Sequence, residues 1–332
     1  MNEPRILGIG STLVDAVLPV SDTFLAAHVP GARGGMEFAS REEQDRWIHD
    51  SGNAPARATG GAAGNTIACL AHLGVKTAHL GKVGADADGD FYRAKLAERG
   101  TEALFFVSEK TGSGRCLSLV TPDSERTMRT CLGATGEISV EEVRTVDFSR
   151  FSLVYIEGYQ LFNAGIVQES LRLAKAAGCR TAMDLASFEV MKIFREDVLN
   201  MLGRDIDMVF ANEEEAAVLT GPGKSAAEMA LELGKRCHVA VVKCGAAGSC
   251  IVRDGVLTQI AITPVKALDT TAAGDSWAAG YLYGYCQGWE DARCGEAGSI
   301  VSAEIVQVFG SELPQERWDV ICKKVAVLQD GK

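Results

Sequence analysis

The chain is 332 residues long, 47% apolar and 23% charged, with a formal net charge of −11 and a pI near 5.1. That length accommodates two average domains or one large α/β domain with an appendage, and the apolar content supplies a sizeable core. The acidic balance argues against nucleic acid or a membrane surface as partner, since both are polyanions, so any anion site has to be built locally from backbone N–H groups, a metal ion or a few basic side chains.

The opening residues, MNEPRILGIG, lack the basic start and apolar run of a signal peptide. No stretch approaches the roughly 18 apolar residues of a membrane span. The ten cysteines are scattered singly, without a C-x-x-C pair. Reduced buried thiols in a cytoplasmic protein are therefore expected, and the spacing of a structural zinc site is absent.

In chain order, hydrophobic periodicity places a strand at 5–10, helix 63–73, strand 77–82, helix 88–99, strand 115–121, strand 152–157, helix 165–177 and strand 180–185. Strand 207–211, helices 213–220 and 225–236, strand 238–243 and helices 275–287, 292–308 and 315–328 follow. The alternation implies right-handed βαβ units and a mostly parallel sheet covered on both faces. Ligands of such sheets sit beyond the carboxyl ends of the strands, where Asp15, Glu157, Asp184, Asn212 and Lys243 stand. Two segments, 19–57 and 104–133, break the alternation with glycines and hairpin-like breaks, and are expected to form a small β-rich lid or else two ordinary surface excursions.

The strongest local signal is DTTAAGDS at 269–276, running into an apolar helical pattern. A loop entering a helix exposes N–H groups and a dipole that favour an anion, and Asp275 in the first turn is placed to accept an alcohol proton beside a transferring phosphoryl group. A helix cap by Thr270 or Thr271 accounts for the octapeptide equally well. Upstream, Gly60-Gly61 with Asn65 suits close approach of a ligand to the backbone, or simply a turn before a tightly packed helix. Gly8 and Gly10 do not complete a dinucleotide fingerprint, because position 13 is Leu13.

Gly223-Lys224-Ser225 imitates the end of a phosphate-binding loop, but Val218 stands where the spacing demands glycine, so the segment reads as a helix stop and restart. Asp86, Asp88 and Asp90 lack the spacing of a calcium loop. Asn212 and Glu215, three apart on an opening helical turn, can face one Mg²⁺ through waters or merely form an acidic helix start. Lys243, Gly245 and Gly248 follow a strand and suit a passing nucleotide or a hairpin turn.

Taken in order, Gly60-Gly61 with Asn65, GKVGADADGDF, ANEEEA, VVKCGAAGS and DTTAAGDSWAAG resemble the PfkB (ribokinase-like) carbohydrate kinase family over nearly the whole chain. GSTLVD, the GGM at 34–36 and SERTMRTCLGA at 124–134 are most similar to its adenosine-kinase-type branch. The resemblance implies a three-layer α/β kinase core (1–18, 58–103 and 134–332) with the lid formed by 19–57 and 104–133. It implies ATP-dependent phosphorylation of a nucleoside or sugar hydroxyl, with Asp275 as base and Ala272, Ala273 and Gly274 as anion hole. Asp15, Gly60, Gly61, Asn65 and Arg129 would meet the acceptor. Asn212, Lys243, Gly245, Gly248 and Thr270 would meet the nucleotide, with Glu215 and Asn212 serving Mg²⁺ through water. Arg126 and Arg129 in the lid would swing onto phosphate or substrate on closure, or are plain solvated surface arginines. A monovalent cation stays open, as do a monomer or a lid-mediated homodimer.

Adenosine-like nucleosides are the first expected acceptors and ribose- or fructose-type sugars the second; a catalytically silent sensor of the same fold is the alternative from another class. The family usually has glycine where this chain has Ala272, and the expectation is a negative φ there, which would make the exchange harmless.

Overall fold

The computed structural model describes residues 5–123 and 125–330. Met1–Pro4, Ser124 and Gly331–Lys332, which the expected core and lid ranges included, lie outside the described residues. In chain order the strands are β1 (Arg5–Ile9), β2 (Leu13–Pro19), β3 (Met36–Phe38), β4 (Ala56–Thr59), β5 (Lys76–Gly84), β6 (Thr101–Ser108) and β7 (Gly114–Val120). They continue with β8 (Arg126–Cys131), β9 (Leu153–Glu157), β10 (Arg180–Asp184), β11 (Met208–Asn212), β12 (Val239–Lys243), β13 (Ser249–Arg253) and β14 (Val256–Ile260). The helices are α1 (Asp22–His28), α2 (Arg41–Ser51), α3 (Ala62–His72), α4 (Ala87–Glu98), α5 (Val140–Arg144) and α6 (Ala164–Ala176). After them come α7 (Phe188–Met201), α8 (Glu213–Thr220), α9 (Ala226–Gly234), α10 (Ala273–Cys286), α11 (Asp291–Ile305) and α12 (Gln315–Asp330).

Nine strands form one sheet in the order β14-β13-β12-β11-β10-β9-β1-β5-β6. It is parallel from β6 to β12 and antiparallel at the β12–β13–β14 edge. Because both faces are covered, successive residues enter opposite cores: Val209 and Ala211 pack on one side, Met208 and Phe210 on the other. The expected strands and helices of this core all form, with ends that agree to within three residues.

The smaller sheet runs β3-β8-β7-β2-β4. Its membership moves the expected boundary. Residues 13–19, assigned mostly to the core, pair with β7 and β4, and β6 as far as Ser108 pairs with β5 of the large sheet. The segment 19–57 is also less β-rich than its glycines suggested. Ser21 caps α1, and Ser40 with Glu43 forms a capping box that starts α2. These two helices cover the outer face of the small sheet, burying Leu25, Val29 and Trp47 against Ala16, Leu18, Leu117 and Leu119.

Two further elements escaped the periodicity reading. Helix α7 is announced by Ser187, whose side chain accepts from Val190 N, and buries Val190, Met191, Val198 and Met201. The β13–β14 hairpin turns at Asp254-Gly255, both at positive φ, the dipeptide preferred by tight two-residue hairpins. Among the described residues no helix is long and apolar enough to cross a membrane.

Trp47 is 1% exposed and is the largest side chain between α2 and the small sheet. Trp47→Ala is expected to destabilise the chain by about 3–5 kcal/mol, read as a lowered urea midpoint with the large-sheet core retained.

Candidate active site

The polar residues beyond the strand ends converge around the start of α10. Asp275, in its first turn, accepts a hydrogen bond at 2.9 Å from Asn65 Nδ2 on α3, and Thr66 Oγ1 donates to the Asp275 carbonyl at 3.2 Å. α3 begins directly after Gly60-Gly61, so the expected base and the glycine pair are held on adjoining elements. Gly61 has φ +88, and a Cβ there would sit 2.0 Å from the Ser11 carbonyl oxygen, so only glycine fits. At Gly60 a Cβ would meet Asp15 Oδ1 at 2.3 Å, which puts the Asp15 carboxylate against the same turn.

Burial raises the Asp275 carboxyl to about 7, with Asp184 adding to the rise and Asn65 and Lys243 opposing it. Asp15 is likewise raised to about 7, by burial first, with Arg126 opposing and Glu312 adding. A carboxyl that titrates near neutrality suits proton transfer from an alcohol.

The helix start itself differs from the expectation. Ala272 is the N-cap of α10 with φ +59 and ψ 12, left-handed rather than negative. Its backbone has to reverse there to turn the loop into the helix, and the Cβ is carried along. The side-chain cap by Thr270 or Thr271 does not form. Thr271 instead donates to Asp269, and Thr270 is an exposed wall of a cavity of about 270 Å³ shared with Arg126, Leu268, Asp269 and Phe309. Ala273 N donates to the Thr270 carbonyl at 3.1 Å. The amides of Gly274 and Asp275, in the first turn, have no preceding helical carbonyl to bond.

On the other side of the cleft, Lys243 Nζ donates to Asp184 Oδ2 at 2.8 Å and lies beside Gly274. Asp184 was legible only as a polar residue after a strand. Asn212 and Glu215 form a reciprocal capping box: Glu215 accepts from Asn212 N and Nδ2, both at 2.8 Å, and Asn212 Oδ1 accepts from Glu215 N at 2.9 Å. Glu215 is buried and its carboxyl is raised, chiefly by burial, then by Asp184. Gly245 is exposed in the β12–β13 turn with open space around it. Gly248 closes that turn, with no room for a Cβ against the Ile260 carbonyl.

The two arginines of β8 part company. Arg126 pairs with Asp269 at 2.6 Å and donates to Thr271 Oγ1 at 2.8 Å, joining the small sheet to the loop before α10. Arg129, expected at the acceptor, is 2% exposed and spends its guanidinium on the carbonyls of Pro30, Ala32 and Met128. It projects from the opposite face of β8 and cannot reach the cleft without unfolding that loop.

The profile of the pfkB family carbohydrate kinases matches residues 40–318. The adenosine kinase of Dictyostelium discoideum is 30% identical over 278 residues, 77% of this chain and 81% of that protein. A probable sugar kinase from Rhizobium etli CFN 42 superimposes with a TM-score of 0.87 at 27% identity, covering 99% of this chain and 100% of that one. The adenosine kinase of Sinorhizobium meliloti gives 0.85, also at 27% identity, over 97% and 99% of the two chains.

An alanine in the left-handed region costs about 1–2 kcal/mol relative to glycine. Ala272→Gly is therefore expected to stabilise the chain by about 1 kcal/mol, allowing for the entropy of the freer unfolded chain, as measured by urea unfolding.

Proposed function

The chain belongs to the pfkB family of carbohydrate kinases, and on that premise we propose that it transfers the terminal phosphoryl group of ATP to a hydroxyl of an adenosine-like nucleoside. The protein is a kinase of a sugar or nucleoside, with the ribokinase-like α/β fold.

The observation that carries the nucleoside reading is the cleft-facing side of the small sheet. Strand register sets Ala58, Asp15, Cys116, Thr130 and Phe38 in one row, and Ala56, Val17, Ser118, Met128 and Met36 in the next. Arg126 projects from this same face and reaches the loop before α10, so the face looks onto the cleft. It carries one carboxylate among small and apolar side chains, and Met36 and Phe38 are 42% and 64% exposed. A bare polyol would leave that surface wet; a flat, weakly polar base covers it while its ribose hydroxyls reach Asp15.

In this reading Asp275 removes the proton of the acceptor hydroxyl as it attacks. The Gly274 and Asp275 amides, at the positive end of α10, stabilise charge on the transferred group. Kinases of this family use ATP, generally with Mg²⁺, which neutralises phosphate charge when bound. Both Glu215 oxygens already accept N–H bonds, and no group of three His, Cys, Asp or Glu among the described residues is placed to hold a metal ion. The residues therefore fit a hydrated Mg²⁺ contacted by Glu215 through water rather than a direct cage. Lys243, Gly245, Gly248 and the exposed Thr270 border the space left for the nucleotide.

The small sheet acts as a lid, with Arg126 as its contact to the loop before α10, and its closure excludes water from the transfer. Its outer face is already covered by α1 and α2, so a lid-mediated dimer is not needed to bury it. Ten free thiols are in keeping with the cytoplasm.

ADP release measured over a panel of nucleosides and sugars is expected to rank adenosine-type acceptors first; turnover with ribose or fructose alone would overturn the nucleoside reading. Asp275→Asn is expected to retain ligand binding by calorimetry while turnover falls at least 10²-fold, the scale of a lost general base. Near-normal turnover in that variant removes Asp275 from the chemistry.

A further inference from the structure

Beneath the first turn of α10 lies a charge arrangement for which the transfer step above has no use. Lys243 and Asp184 meet at 2.8 Å with side chains 14% and 5% exposed. A Cβ on Gly274 would stand 2.9 Å from Lys243 Nζ, so the ammonium is pressed against the backbone that opens the helix. Asp184 is held from behind. Ala186 N donates to its second oxygen, Oδ1, at 3.0 Å, and Ala186 adopts φ +68 to do so. A non-glycine residue kept at positive φ beside a functional cleft marks a turn whose geometry is imposed by its surroundings.

We propose that Asp184 and Lys243 are a positioning ion pair that holds one positive charge against Gly274 and so sets the charge balance in which Asp275 works. The proposal rests on the kinase reading for its purpose, but the pair and its effect on Asp275 are properties of the chain without nucleotide. Lys243 is then, besides bordering the nucleotide, a fixed cation shared between the Asp184 carboxylate and the helix start.

The groups around Asp275 come from four elements. Asn65 and Cys69 face it from α3, Tyr155 and Glu157 from β9, Asp184 from β10 and Lys243 from β12. Apart from burial itself, Asp184 is the strongest influence holding the proton on Asp275, while the Asn65 hydrogen bond and then the Lys243 charge oppose it. Burial works against the charge on Lys243, but Asp184 and then Glu215 more than offset this, so its ammonium is held above its ordinary pKa and stays charged. The pair therefore acts as a fulcrum: removing either end should tip Asp275 in opposite directions.

The test follows the Asp275 carboxyl directly, by ¹³C NMR titration of Asp-labelled chain without nucleotide, its resonance assigned through Asp275→Asn. Asp184→Asn is expected to lower the Asp275 midpoint by about 1 pH unit and Lys243→Met to raise it by about 1 unit or more, the scale of a neighbouring charge. The double variant Asp184→Asn/Lys243→Met should return toward wild type. Lys243→Met leaves Asp184 buried and alone; should it fail to fold, the near-isosteric Asp184→Asn and the neutral double variant still fix the sign.

The acid limb of the rate profile is expected to move with the NMR midpoint, and Lys243→Arg to restore it in part. Midpoints unmoved by Asp184→Asn, or moved in the same direction by both single variants, overturn the proposal. A raised KM for ATP in Lys243→Met with an unmoved limb does so as well, making Lys243 a plain nucleotide contact. Failure of the kinase reading shows separately, as absent ADP release by the wild-type chain.

Discussion

One buried carboxylate holds the two sheets and the cleft in register. Glu157, fully buried at the end of β9, accepts Ser11 N at 2.8 Å, Ser11 Oγ, Ala63 N at 2.9 Å and Gln160 Nε2 at 3.3 Å. Ser11 lies in the crossing from β1 of the large sheet to β2 of the small one, and Ala63 opens α3. A single side chain thus pins the crossing that aims Asp15, the helix that carries Asn65, and the strand between them. Hydrogen bonds to a charged group contribute about 1.5–3 kcal/mol each, and the α3 N-terminus adds a favourable dipole. The arrangement is also tight: a Cβ at Gly10 would stand 2.4 Å from Glu157 Oε2.

From that anchor the rest of the site follows as a problem in charge. Asp275, Asp184, Glu157 and Glu215 crowd around the strand ends, and Lys243 is the cation among them. Burying like charges together is costly unless protons or cations compensate. The structure uses both means, holding the Asp275 and Glu215 carboxyls up and pairing Asp184 with Lys243.

Backbone strain is stored in the same neighbourhood. Of the three non-glycine residues at positive φ among those described, Ala272 and Ala186 flank the cleft, while Asp254 sits in a surface hairpin. The first two belong to loops that place Asp275 and Asp184. The fold accepts their cost because the packed elements on either side leave those loops no other path.

Much of this was legible in the residues. The apolar runs of β1, β5, β9, β11 and β12 and the periodic helices between them dictate a parallel sheet covered on both sides, because no other arrangement buries such strands. The ordered motifs at 60–65, 212–215, 243–248 and 269–276 carry the resemblance to the pfkB family that the match over residues 40–318 bears out. Other features were hidden for physical reasons. The helices α1 and α2 lie in a segment whose glycines and charges mask short capped helices, and β2 belongs to the small sheet because of its partners rather than its composition. Arg126 and Arg129 are three residues apart on one strand, so they point to opposite faces, and only the sheet's packing tells which face looks on the cleft.

The chain's own order of residues determined the fold class and set polar residues at the strand ends, since periodicity and turn chemistry are local. Tertiary structure alone decided that Ala272 is left-handed, that Arg129 is a buried brace, and that Asp184 and Lys243 meet under α10. Those outcomes depend on contacts between segments tens to hundreds of residues apart, and no local pattern encodes where two strand ends will stand relative to one helix.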